Sequence, residues 1–276
     1  MPAILTSPIG ANEVIIDDGN YQDYLSPVVD GERKMTGLMP PLPQKYEMRS
    51  GLTATFDIPL IPENEWADRL EEQIKQKAQL SDVRNRGKFG GVMPSTDQGS
   101  YGYCWCHSST SAALLARAIN NQPYVALSAY AVGCIIKNYR NQGGWGEESL
   151  KFIADRGIPS EEFWPQKSTK RENDNPNTWA NAALHKFTSE WMSLNDGSMK
   201  AQLVTCLLLG IPVVSDFNWW SHSVCTMDLV SISPFRTRIW NSWGDGWSQN
   251  GSGILEGSKA VPSDALAPRV IWPSVV

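Results

Sequence analysis

The stretch DQGSYGYCWCHSSTSAALLARAIN (residues 97–120) decides the fold. In it a glycine-rich loop leads into a segment from Cys104 to about Ile119 that is rich in Ala and Leu and free of Gly and Pro. Because Ala and Leu are strong helix formers, we predict a helix that begins at Cys104. A helix N-terminus stabilises a thiolate, the form of cysteine that attacks carbonyl carbon. The sequence therefore predicts a nucleophilic cysteine at this position.

The base that would activate this cysteine is sought among three histidines, His107, His185 and His222. His107 lies three residues along the same predicted helix, and His185 is expected on a helix exterior. His222 begins a predicted strand among apolar residues, where water is partly excluded. We therefore expect His222 to form a thiolate–imidazolium pair with Cys104. The second ring nitrogen of His222 needs an orienting acceptor, and the side-chain amide of Asn241 can provide one.

Five segments resemble, in order, the segments of papain-family cysteine peptidases. They are QGSYGYCW (98–105), LSAYAVGC (127–134), NQGGWGEESLKFIADRGIPSEEFWP (141–165), GIPVV with SHSV (210–224), and NSWGDGW with NGSGIL (241–255). The resemblance covers roughly residues 81–256 and implies a papain-like fold and the hydrolysis of peptide bonds.

The resemblance also implies catalytic roles. Cys104 would be the nucleophile, and His222 would act first as general base and then as general acid. Asn241 would orient His222, and Trp243 would shield that pair from water. Gln98 would donate its side-chain amide to the oxyanion, together with the backbone N–H of Cys104.

Substrate contacts follow from the same resemblance. Gly143 and Gly144 would leave bare backbone with which an extended peptide pairs by strand addition. Trp145 and Trp220 would form the walls of the second substrate pocket. The expected partner is a protein or peptide substrate, and no cofactor or metal is implied.

The spacing of the catalytic residues departs from the family at one place. Cys104 and Asn241 are separated by 241 − 104 = 137 residues, within the expected range of about 130–150. Cys104 and His222 are separated by 222 − 104 = 118 residues. The missing length falls between Val214 and His222, where the family has a long strand pair, so the cleft wall on the histidine side is expected to differ.

Two further departures concern the loop before the nucleophile. The family has a cysteine where Tyr101 stands, bridged to the residue that matches Cys134. Tyr103 replaces a small residue, and we expect it to crowd the cleft.

The order of predicted elements indicates an α+β fold with two lobes. Residues 81–195 form the predicted helical lobe with the nucleophile helix, and residues 196–276 form the predicted β-rich lobe with His222 and Asn241. Residues 1–80 form a Pro-rich N-terminal extension that includes a predicted helix at about 63–80. The extension has two interpretations, a pro-segment that covers the cleft until it is removed or a permanent belt, and we favour the belt.

Composition limits the partners and the location. The chain has 276 residues, a net charge of −5 and a pI of about 5.3, which disfavours nucleic acid or an anionic membrane as the main partner. No apolar run approaches the length that crosses a bilayer, and the opening MPAILTSPIGANEV does not resemble a signal peptide. The odd count of five cysteines favours a reducing compartment such as the cytoplasm over a disulfide framework. A virus particle is also compatible.

Three other interpretations remain open from the sequence. The chain would be a structural or interaction protein, such as a virion or assembly component, if it kept the papain-like fold without catalysis. A cell-wall hydrolase of the Cys–His type is a second alternative. A metal site formed by Cys104, Cys106 and His107 is the third, but this is poor zinc spacing because no second ligand cluster accompanies it.

Overall fold

A computed structural model describes residues 6–40, 53–88, 90–186, 191–194 and 198–268. Its helices are α1 (Trp66–Gln76), α2 (Leu80–Arg86), α3 (Cys104–Ile119), α4 (Ala129–Ile136), α5 (Gly146–Arg156), α6 (Pro176–Ala182) and α7 (Met199–Leu208). Its strands are β1 (Ile15–Ile16), β2 (Val28–Val29), β3 (Glu32–Arg33), β4 (Thr53–Thr55), β5 (Trp191–Ser193), β6 (Val213–Phe217), β7 (His222–Ser231), β8 (Arg236–Trp240), β9 (Ser252–Glu256) and β10 (Asp264–Pro268).

One eight-stranded sheet organises the chain, in the order β1-β9-β8-β7-β6-β10-β5-β4. Its inner strands pair antiparallel, from β9 through β5. Strands β1 and β4 pair parallel with β9 and β5, and they stand at the two edges of the sheet. The order of helices and strands confirms an α+β architecture.

The two faces of the sheet bury two apolar clusters. Side chains alternate along a strand, so β6 directs Val214 into the cluster that contains the nucleophile helix. The same strand directs Val213 and Phe217 into the other cluster, together with side chains of α7. The predicted nucleophile helix has the observed bounds, and it is buried along most of its length.

The N-terminal region is joined to the body through backbone pairing. Ser7 N–H donates to the carbonyl of Val230 at 2.8 Å. Glu13 forms a buried ion pair with Arg238 at 2.7 Å. Strands β1 and β4 extend the sheet at its opposite edges, so segments on both sides of residues 17–52 belong to the central sheet.

Local differences from the predicted elements have physical causes. The predicted helix at 63–80 is shorter in the structure: α1 ends at Gln76 because Lys77 takes a positive φ of 51°, and α2 begins only at Leu80. The short helix α6 forms because the Asn175 side chain accepts from two backbone N–H groups and proline follows at the first helical position. His185 was predicted on a helix exterior, but it is buried near the carbonyl of Ile158.

Within the described ranges no helix is long and apolar enough to cross a membrane.

Candidate functional site

Cys104 is the first residue of α3 and is fully buried. Burial raises the pKa of its thiol to about 12, although the backbone N–H groups of Ser223 and Gly37 oppose that rise. Ser223 belongs to β7 and Gly37 belongs to the N-terminal region. The thiol is therefore enclosed between the helix, the sheet and a segment from the first 40 residues.

His222 and Asn241 meet because β7 begins at His222 and β8 ends one residue before Asn241. His222 Nε2 lies 2.8 Å from Asn241 Oδ1. The same oxygen accepts the backbone N–H of Ser242 at 2.8 Å, which identifies it as the oxygen of the amide. Nε2 therefore carries the proton, and Nδ1 of neutral His222 is left as the basic nitrogen.

Two indoles enclose the imidazole. Trp243 stacks on His222 with ring centroids 4.8 Å apart, and Trp220 meets it edge-on at 4.9 Å. Burial lowers the pKa of His222 to about 4, although the hydrogen bond with Asn241 opposes the change. Among the described residues, His222 Nδ1 has no hydrogen-bond partner.

These environments favour a neutral thiol and a neutral imidazole in this structure. The sequence led us to expect a thiolate–imidazolium pair between Cys104 and His222. Burial in the enclosed site shifts both pKa values against the charged forms, so the ion pair stays a prediction that this closed arrangement does not favour.

Gln98 faces the segment that covers the thiol. Its Nε2 donates to the carbonyls of Met35 and Tyr101, each at 2.9 Å. Its Oε1 accepts the Ser242 hydroxyl at 2.6 Å, and its backbone carbonyl accepts the hydroxyl of Tyr130 at 2.7 Å. The amide nitrogen is thus aimed at a carbonyl oxygen that belongs to the N-terminal region.

Gly144 forms backbone pairs with the same segment. Gly144 N–H donates to the carbonyl of Gly37 at 3.0 Å, and Met39 N–H donates to the carbonyl of Gly144 at 3.1 Å. Between these bonds, Leu38 N–H donates to the carbonyl of Ser221 at 3.0 Å. A Cβ on Gly143 would lie 2.4 Å from the Gly37 carbonyl oxygen, so bare backbone is required where the segments meet.

Three tryptophans around the cleft donate their indole N–H groups to carbonyls of the N-terminal region. The pairs are Trp145 with Pro40 at 3.2 Å, Trp220 with Tyr24 at 2.6 Å, and Trp243 with Met35 at 3.3 Å. The predicted site residues therefore surround one cleft, and part of the N-terminal extension fills it.

The short connection before the histidine is a tight hairpin. Phe217 pairs with His222 across β6 and β7, so only residues 218–221 form the turn. Within this turn, Trp219 and Trp220 stack on each other with ring centroids 5.0 Å apart.

The tyrosines of the loop before Cys104 pack beside helices α3 and α4. Tyr101, Tyr103 and Tyr130 lie within 5.3–5.5 Å of one another, measured between ring centroids. Tyr103 is fully buried, and its hydroxyl donates to the carbonyl of Arg140. A Cβ on Gly133 would lie 2.6 Å from the Tyr103 ring. The expectation that Tyr103 crowds the cleft is therefore wrong.

The cysteines and His107 do not form a metal centre in the described part of the chain. All five cysteines are free thiols and buried. His107 Nδ1 lies 2.8 Å from the Thr96 hydroxyl. No group of three His, Cys, Asp or Glu side chains among the described residues is placed to hold a metal ion.

Sequence reasoning missed two features of the site. Ser242 links Asn241 to Gln98, and its only sequence signal is its place after Asn241. Residues 34–40, KMTGLMP, occupy the cleft, and their sequence suggests only an extended chain because Pro40 is followed by Pro41.

A family profile described as "Papain family cysteine protease" matches residues 78–235, which are 158 of the 276 residues. The chain therefore belongs to the papain family of cysteine proteases, and it is a hydrolase of the thiol protease class.

Named relatives agree with this assignment. The chain is 25% identical to cathepsin K of Mus musculus over 248 residues, which cover 82% of this chain and 69% of that protein. It is 27% identical to papain of Carica papaya over 59% of this chain, but it covers only 51% of that relative.

Solved structures show the same fold at low sequence identity. Xylellain, a cysteine protease from Xylella fastidiosa, aligns with a TM-score of 0.54 and 18% identity over 66% of this chain and 85% of that chain. Procathepsin L 3 from the Tenebrio molitor larval midgut aligns with a TM-score of 0.55 and 18% identity, over 91% of this chain and 79% of that chain. The papain-like α+β fold predicted from the sequence is therefore confirmed.

Proposed function

We propose that this papain-family enzyme hydrolyses peptide bonds with Cys104 as nucleophile, His222 as base and Asn241 as the group that orients the base. The observation that carries the proposal is the hydrogen-bond chain from His222 through Asn241 and Ser242 to Gln98. It begins at His222, the residue before Ser223, whose backbone N–H reaches the Cys104 thiol, and it ends at an amide that donates to the Met35 carbonyl. The family match does not favour a purely structural protein or a cell-wall hydrolase.

The reaction starts with transfer of the Cys104 thiol proton to His222 Nδ1. The thiolate attacks the carbonyl carbon of the peptide and forms a C–S bond, and the carbonyl oxygen becomes an oxyanion. Gln98 Nε2–H and the backbone N–H of Cys104 donate to this oxyanion. The C–N bond then breaks, and His222 gives its proton to the departing amine.

Water completes the cycle. His222 accepts a proton from the water as it attacks the thioester carbonyl, and the C–S bond breaks to release the carboxylic acid. Cys104 recovers its proton from His222. Asn241 keeps Nε2 protonated throughout, so the same ring nitrogen, Nδ1, serves each transfer.

An extended substrate would pair with the backbone of Gly143 and Gly144, and Trp145 and Trp220 would form the walls of the second pocket. The support is the pairing that the N-terminal segment already makes with Gly144 and with the two indoles. Trp243 would shield the pair of His222 and Asn241 from water. The substrates are accordingly proteins or peptides.

The test is hydrolysis of a fluorogenic peptide library by the full chain and by its Cys104→Ala variant. We expect the replacement to lower turnover by at least about 10³-fold, because loss of a nucleophile removes the covalent pathway. Cys106→Ala, two residues along the same helix, is the matched control and should keep turnover. Turnover that survives Cys104→Ala would reject the assignment.

A further inference from the structure

Residues 32–40, named the plug here, contact both walls of the cleft. Their backbone pairs with Gly144 on one wall and with Ser221 on the other, and it receives the Gln98 amide at Met35. In the proposed mechanism the backbone of Gly144 binds the substrate and the amide of Gln98 binds the oxyanion. Only the carbonyl of Ser221 has no such role. The plug and a substrate therefore cannot occupy the cleft together.

The plug fits only because residue 37 is glycine. A Cβ built on Gly37 would lie 2.1 Å from the carbonyl oxygen of Gly102. The atoms that it would meet belong to backbone, which cannot turn aside as a flexible side chain can. Any larger residue at this position must lift the segment away from the nucleophile loop.

A cluster of four charges holds the start of the plug. Lys34 is 2% exposed, and its Nζ lies 2.9 Å from Asp97 Oδ1 and 3.0 Å from Glu32 Oε2. Lys167, which is 41% exposed at its side chain, contacts the same two carboxylates at 2.6 and 3.3 Å. Asp97 lies next to Gln98, so the contact fastens the plug beside the oxyanion donor.

The chain on each side of the plug is held by the body independently of the cleft. Before the plug, β1 extends the sheet at β9, and Arg238 binds Glu13. After it, β4 extends the opposite edge at β5, and Gln73 of α1 donates to the carbonyl of Leu207 at 2.9 Å. Cutting the chain beside the plug would not free these flanking segments.

We propose that residues 32–40 are a retained and reversible plug: the cleft opens when the contacts of Lys34 and Gly37 release, and the N-terminal region stays part of the active protein. The proposal rests on the assignment of Cys104 as the proposed nucleophile. In this proposal the flanking segments act as the permanent belt, and the plug covers the cleft as a pro-segment would.

The experiment measures alkylation of Cys104 by iodoacetamide in the full chain, with the site located by peptide mapping. Gly37→Ala should label at least about tenfold faster than the unsubstituted chain, because overpacking against backbone disfavours the seated plug. Lys34→Met should label about fivefold faster or more, because it removes a buried ion-pair partner. Met35→Ala is the matched control, since this side chain is 41% exposed and the bond to Gln98 uses the backbone.

Intact mass of the labelled molecules tests retention. We expect the label on Cys104 of full-length chains, both before and after prolonged incubation. Label that appears only on chains shortened from the N-terminus would overturn the proposal, and so would equal labelling rates in the unsubstituted chain, Gly37→Ala and Lys34→Met. Thermal melting followed by circular dichroism establishes that each variant is folded.

The proposed plug and the proposed catalytic role of Cys104 are contradicted by different results. If Gly37→Ala labels rapidly at Cys104 but hydrolyses no peptide, the plug stands and the proposed catalysis is rejected. If labelling does not change but turnover disappears with Cys104→Ala, the catalysis stands and the plug is rejected.

Discussion

The proposed catalytic groups and the plug are both positioned by hydrogen bonds, but the partners in these bonds come from different parts of the chain. His222, Asn241 and Gln98 are connected through Ser242, within the body of the protein. The plug instead uses donors and acceptors that the cleft offers, chiefly Gln98 and the backbone of Gly144. The difference teaches that the plug satisfies the binding groups Gln98 and Gly144, while among the described residues His222 Nδ1 has no partner in the enclosed site.

Gln98 takes part in both sets of contacts. Its replacement is therefore expected to change peptide turnover and alkylation of Cys104 in opposite directions, with the largest effect among these predictions. Gln98→Ala should lower peptide turnover by about 10²–10³-fold, because one oxyanion donor is lost. The same change removes a bond to the Met35 carbonyl, so alkylation of Cys104 should become faster. Steady-state kinetics and iodoacetamide labelling measure the two effects on one preparation. Slower turnover together with slower labelling would contradict the shared role.

Acidification should favour the open cleft. Burial lowers the pKa of His222 to about 4 in the closed site, from an ordinary value of 6.5. Because the open form binds this proton more readily, stability of the closed form is lost as pH falls from about 6.5 towards 4.

Protonation of the carboxylates in the charge cluster should also weaken closure of the cleft at low pH. Burial alone would raise the pKa of Asp97, but hydrogen bonds from Lys167, Gly99 and Lys34 hold it below its ordinary value. The hydrogen bond from Lys34 likewise holds the pKa of Glu32 low. Their contribution to closure is present above the ordinary carboxyl pKa and disappears as pH falls through the lowered values.

The pH effect is measured as the ratio of Cys104 alkylation rates in the unsubstituted chain and in Gly37→Ala at each pH. This ratio cancels the intrinsic pH dependence of thiol alkylation. It should rise towards 1 as pH falls from 7 to 5, by at most about tenfold per unit for one proton. A constant ratio over this range would show that closure is not linked to His222.

The smallest effect is expected at the exposed side of the charge cluster. Lys167→Met should change the labelling rate by less than about fivefold, because partly exposed ion pairs contribute up to about 1 kcal/mol. Lys34→Met should exceed it, since Lys34 is buried and Lys167 is not. Equal effects of the two variants in the labelling assay would mean that burial does not decide the strength of the contact.

Local sequence features predicted the nucleophile helix and the strand that begins at His222. The helix from Cys104 to Ile119 follows from composition, since its Ala and Leu residues have no competing Gly or Pro. The start of β7 at His222 follows from alternating apolar residues. The positions of Gln98 and Asn241 followed from the family resemblance, and the structure brings their side chains to one cleft.

The plug could not be predicted from the sequence. Its bonds are formed by backbone, and no side-chain period marks residues 34–40. The burial of Lys34 depends on Asp97, which is 63 positions away in sequence. The requirement for glycine at residue 37 arises from Gly102, which only the folded chain brings near.

Peptide turnover tests the central claim, that plug and substrate compete for the groups around Cys104. It is measured as kcat/KM of the unsubstituted chain, Gly37→Ala, and Gly37→Ala combined with Cys104→Ala, on one fluorogenic peptide. We predict that Gly37→Ala raises kcat/KM by about tenfold or more and that the double variant has no turnover. Equal kcat/KM for the unsubstituted chain and Gly37→Ala, or turnover that persists in the double variant, would contradict the account.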